Sequence, residues 1–156
     1  EILKVNKKIW NLEDMARMKE LGSDKIALSK LEIDKNNQLR NDIIQKIDTF
    51  IETEFKNMDL KDIDKFYSES PGMIIDRLSI MFIRKFTIEK IVDLISDTEL
   101  KKEYLSKVDI VNDQINQIGS FLDIYLIKIQ NKKAYFKIQR AVKIYNDDRI
   151  KTYIQG

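Results

Sequence analysis

The sequence predicts an all-α protein, an antiparallel bundle of four long helices plus a shorter segment. Three observations carry this. Apolar residues recur every three or four positions through long stretches, and the alternation that strands need is absent. Only four glycines and one proline interrupt 156 residues. Charged residues make up 35% and apolar ones 43%, with Lys, Glu, Ile and Leu prominent, which is the mixture of long helices.

The first helix is expected from about Leu3 to Leu21, with Gly22 as its stop. Ile9, Leu12, Met15 and Ala16 form its buried stripe. Glu13 falls beside that stripe, with Trp10 and Arg17 just outside. Glu13 and Arg17 have the favourable i,i+4 order, so a boundary ion pair beneath a tryptophan competes with any functional role. Ser23 or Asp24 should cap the second helix, which continues to Phe55 over roughly 30 residues, about 45 Å. Its stripe reads Ile26, Ile33, Asn37, Arg40, Ile44, Ile47, Ile51, Phe55, flanked by Asn41 and Asp48. The middle is polar where a plain bundle would place Leu or Ile. Asn37 and Arg40 must be matched across the bundle or open into a cavity, because burying them unpaired is costly. A polar layer that only fixes helix register explains the pattern equally well.

Leu60, Ile63, Phe66 and Tyr67 make residues 57–69 a short amphipathic segment. Ser70 is then a good N-cap, and Pro71 suits the first position of a third helix reaching about Ile95. This helix is apolar almost all round, as expected of one enclosed by others. Asp76, Arg77 and Arg84 are nonetheless set into it, and neighbouring helices must supply their partners. Lys85 lies in the stripe of Ile74, Leu78, Met81 and Val92, where its head can snorkel to water. Ser96-Asp97-Thr98-Glu99 has capping-box spacing and opens a fourth helix. Its stripe runs from Leu100 through Tyr104, Val108, Val111, Ile115, Ile118, Leu122 and Tyr125 to Ile129, with a bend allowed at Gly119. After a break at 130–133, a fifth helix is expected on Tyr135, Ile138, Val142 and Tyr145.

The composition excludes much. Net charge is +2, too slight an excess for a nucleic-acid partner, and basic residues are scattered among acidic ones. There is no cysteine and no histidine, so disulfides, thiolate catalysis, histidine bases and zinc–cysteine sites are absent. No P-loop, glycine-rich dinucleotide turn or EF-hand loop occurs. No apolar run approaches the ~18 residues that suggest a membrane span, and no signal peptide is visible. A single cytoplasmic domain over residues 1–156 is the expectation. The opening Glu1 leaves room for a natural N-terminus upstream.

Three blocks together carry a family likeness. They are Trp10-Asn11-Leu12-Glu13-Asp14 with Arg17; the stretch from Asp34 to Asp42 with Ile47-Asp48; and Ser70-Pro71 leading to Asp76-Arg77-Leu78-Ser79-Ile80. With the closing Lys143-Ile144-Tyr145-Asn146-Asp147, they resemble an uncharacterised bacterial family of helical proteins, catalogued as a domain of unknown function. The resemblance spans nearly the whole chain. It implies a setting beside glycosyltransferases of lipopolysaccharide or other surface glycans. Asn11 and Thr87 stand where the family pattern often has histidine.

Residues and resemblance together nominate Trp10, Glu13, Arg17, Asn37, Arg40, Asn41, Asp48, Asp76 and Arg77 as a ligand-binding cluster. The expected role is that of an accessory or binding protein in surface-polysaccharide assembly. Its ligand would be an anionic small molecule such as a sugar phosphate or nucleotide-sugar, with a protein partner or a second copy as further options. Arg40, Arg77 and Arg84 would supply bidentate donors to phosphate, and Trp10 an apolar wall. No cofactor is expected. The alternative is a Mg²⁺-dependent hydrolase or transferase on a phosphorylated substrate, with Glu13, Asp48 and Asp76 (and Asp14 nearby) around the ion. A third reading makes the cluster purely structural.

Overall fold

The structure, a computed structural model, describes residues 1–56, 65–139 and 153. Among the described residues there are four α-helices: α1 (Ile2–Arg17), α2 (Ser23–Glu54), α3 (Pro71–Leu94) and α4 (Thr98–Gln130). α1 packs chiefly on α2 and α4 chiefly on α3, while α1 and α2 both also reach α3. Contact with three helices buries Ile74, Met81, Ile83 and Val92 of α3. Phe82, Phe86, Ile91 and Leu94 stay exposed, so the helix is not enclosed on every side in the way its sequence suggests. Arg40 meets Asp76 whereas Asp48 meets Gly72, so α2 and α3 run antiparallel. The main core lies where α2 ends, α3 begins and α4 ends. Ile51, Ile74, Tyr125, Ile129, Ala134 and Phe136 pack there. Among the described residues, no helix is long and apolar enough to cross a membrane.

Several boundaries differ from the sequence reading. α1 stops at Arg17, four residues early, because Met18 turns extended and Lys19–Leu21 tighten into a 3-10 turn. Gly22, at φ +80°, is itself the N-cap of α2, so Ser23 is already helical and neither it nor Asp24 caps. The chain can make this turn only because glycine tolerates the left-handed side of φ. α4 is capped by Asp97 rather than Ser96; the Asp97 carboxylate accepts the Leu100 N–H at 2.7 Å. Gly119 lies within the continuous α4, with nothing near the place a Cβ would occupy.

The expected fifth helix is absent over Tyr135–Gln139. Those residues carry no helix, and Phe66 and Tyr135 form an isolated parallel bridge. The Tyr135 N–H donates to the Lys65 carbonyl and the Tyr67 N–H to the Tyr135 carbonyl, both at 2.9 Å. The core explains the preference. Consecutive residues Ala134, Tyr135 and Phe136 are all buried, which a surface helix could not arrange. Leu60, Ile63, Val142 and Tyr145 lie outside the described residues.

Candidate functional site: a polar cleft between the second and third helices

α2 and α3 meet through two polar contacts. The first is at the start of α3. Ser70 caps the helix by accepting the Met73 N–H at 3.3 Å, with Pro71 in the first turn. Asp48, reaching over from α2, accepts the Ser70 hydroxyl at 2.5 Å and the Gly72 N–H at 2.7 Å. A carboxylate on the N-terminus of a helix satisfies free N–H groups and complements the helix dipole. The approach is so close that only glycine fits: a Cβ on residue 72 would stand 2.7 Å from Asp48 Oδ1 and 2.8 Å from the Ile44 carbonyl. Burial pushes the Asp48 carboxyl up. The Ser70 and Gly72 hydrogen bonds pull it back without winning, and Glu52 adds a smaller upward push.

One helical turn further along α3, three helices converge. Asn6 of α1 donates its amide to Asp76 Oδ1 at 2.7 Å and to Ser79 Oγ at 2.6 Å. The Ser79 hydroxyl donates to the Asp76 carbonyl at 2.8 Å. Arg40 of α2 brings Nε to 3.2 Å from Asp76 Oδ1, an ion-pair distance. Its N–H is not aimed at that oxygen, so Nε is a buried donor without a hydrogen bond. Neutral amide and guanidinium thus share one carboxylate, and donor capacity is left over.

This layer forms one wall of a cleft of about 700 Å³ between α2 and α3. Arg40, Arg77, Asp42, Glu69 and Asp76 are its charged lining, and Gln38, Asn41, Gln45 and Gln139 its carboxamides. Ile44, Met73 and Ile80 supply the apolar part. Arg77 donates to the Glu69 carboxylate, so each guanidinium already faces one acid. Gln38 donates to Asp42 at 2.8 Å. Behind the cleft, the Tyr125 hydroxyl of α4 donates to the Glu69 carbonyl at 3.0 Å. Burial, and then the charge of Asp48, push that hydroxyl further up, so it stays a neutral donor.

Of the nominated residues, Arg40, Asn41, Asp76 and Arg77 line the cleft together. Asp48 adjoins it but is sealed beneath the start of α3. Asn37 is half-buried and does not line the cleft. Its neighbour Asn36 is the buried one, donating to the Glu32 carbonyl at 2.6 Å. Trp10 is half-buried on α1. Glu13 lies two turns beyond Asn6, near Arg17 at 3.8 Å, and Asp14 is 3.7 Å from the same arginine. Arg17 is 73% exposed in its side chain, so this trio is an outer-surface group apart from the cleft. Arg84 is exposed on α3. Among the described residues no three metal-capable side chains gather, so Glu13, Asp48 and Asp76 do not converge.

Sequence reasoning missed Asn6, Ser79, Glu69 and the glutamines. Asn6 had a readable signal, since it lies in step with Ile2, Val5 and Ile9 and so interrupts the α1 stripe as Asn37 interrupts that of α2. Glu69 and Gln139 had none, because they come from connecting segments.

Fold and site define an all-α helical protein with a ligand-sized polar cleft between two antiparallel helices. The chain belongs to the DUF4254 family, described as a protein of unknown function, whose profile matches residues 1–138. No curated protein and no solved structure matches the chain.

Proposed function

We propose that the protein is a bacterial, cytoplasmic accessory protein that binds a sugar phosphate or nucleotide-sugar in the α2–α3 cleft. The observation that carries this is the lining: four carboxamides and two guanidiniums, with the cationic groups held in place by acids. Planar groups fixed in this way match the hydroxyls of a sugar, each of which both donates and accepts. Three acids against two arginines give the cleft no surplus of positive charge. The sugar therefore belongs beside Asp42 and Asp76, and the phosphate beside Arg77. There the Glu69 partner is 40% exposed and can be exchanged for the ligand. The assignment to surface-polysaccharide assembly draws only on the sequence resemblance.

Thermal-shift and calorimetric titration with UDP-glucose, glucose 1-phosphate, glucose and inorganic phosphate tests the reading. Saturating ligand at ~100 Kd should stabilise the fold by ~2.7 kcal/mol. The sugar phosphates should outperform phosphate alone, and Asn41→Ala should weaken them. A flat response to all four probes counts against the proposal.

A further inference from the structure

The outer face of α2 carries Leu28, Leu31, Leu39 and Phe50, each between 46% and 66% exposed. Together with Glu32, Lys35, Asp42 and Lys46 they recur at intervals of three and four, and so share one face of the helix. The order of charges along that face is informative. Leu28 and Phe50 lie equally far from Leu39 on either side, and so do Glu32 and Lys46, which carry opposite charges. Lys35 and Asp42, also opposite, bracket Leu39 within one residue of symmetry. A lipid surface would favour an unbroken apolar face, and four charges cross this one. The pattern is self-complementary.

We propose that this face is the interface of a homodimer, two copies of α2 packing antiparallel about a two-fold axis at Leu39. In that register Leu39 meets Leu39, Phe50 covers Leu28 of the second copy, and Lys46 faces Glu32. Lys35 falls beside Asp42. An isologous contact repeats every pair twice, so each favourable match counts double. A parallel pairing would instead set Lys35 on Lys35 and Glu32 on Glu32, and like charges facing each other are repelled. Glu32 already holds Lys8 at 3.1 Å and lies 3.9 Å from Lys35, so Lys46 of the second copy would join an existing group of charges. Asp42 also lines the cleft, so the dimer would border it. Leu28, Glu32, Leu39, Lys46 and Phe50 do not line it, and the pairing they make does not rest on what the cleft binds.

The native chain has no cysteine, so Leu39→Cys places a single thiol at the axis. Mild oxidation should convert this variant to a disulfide-linked dimer, while Asp109→Cys, on the exposed side of α4 and away from the dimer seam, should stay uncrosslinked. Light scattering across a dilution series should give a dimer mass for the wild type. Lys46→Glu and Glu32→Lys should each weaken self-association by at least ~10-fold, and the double variant should restore it. Circular dichroism confirms that each variant is folded. A wild type that is monomeric throughout overturns the proposal. So does a dimer that ignores both charge changes and leaves Leu39→Cys uncrosslinked, since its interface must lie elsewhere.

Discussion

Asp48 and Asp76 stand a turn apart along the same α2–α3 seam, 2% and 5% exposed, and are held in opposite ways. Asp48 is met by a backbone N–H and a hydroxyl from the first residues of one helix, and every donor aimed at it is used. Asp76 is met by side chains from two other helices, beside open space, and the Arg40 Nε next to it has no acceptor. Burial of an acid therefore does not by itself mark a site. What separates the two is unspent hydrogen-bonding capacity next to a cavity. Asp48 joins helices, and Asp76 organises a surface that can accept something else.

The contrast can be broken most easily at Asp48. Asp48→Ala strands the Gly72 N–H and the Ser70 hydroxyl, and should cost ~3–5 kcal/mol in denaturant unfolding. A loss below ~1 kcal/mol would mean the start of α3 is held by something else. Asn6→Ala removes one of two partners of Asp76 and should cost less, ~1–3 kcal/mol by the same measurement. Equal losses at the two positions would erase the difference between the two acids. Arg77→Ala breaks an ion pair whose side chains are 49% and 40% exposed, so its stability cost should stay under ~1 kcal/mol. Its titration with glucose 1-phosphate should weaken by far more than that.

The smallest effect is in the pH dependence. Burial raises the Asp48 carboxyl in the folded protein above its value in the unfolded chain. Its contribution is then complete below the ordinary carboxylate range and lost as pH rises through the folded value. Stability of the wild type relative to Asp48→Asn should fall across that window. A rise would show that the hydrogen bonds from Ser70 and Gly72 outweigh desolvation.

The helices were legible because a buried stripe leaves a period in the sequence, and the Ser70-Pro71 start of α3 because its cap is local. Arg40 and Asp76 were legible as polar residues interrupting apolar runs, which is a physical contradiction until partners are found. Which partner answers them was not legible. Glu13 and Asn6 both stand on or beside the α1 stripe, and only the register of α1 against α3 selects Asn6. The same limit applies to Tyr135, whose helical spacing was real but lost to backbone pairing with a distant segment.

Glu69 is gripped from two directions, its main chain by Tyr125 behind it and its side chain by Arg77 in front. Tyr125 does not line the cleft. A shift of α4 would pull on the main chain of Glu69, whose side chain pairs with Arg77 in the cleft lining. One hydrogen bond from Tyr125 thus ties the cleft lining to a helix that supplies none of the lining residues.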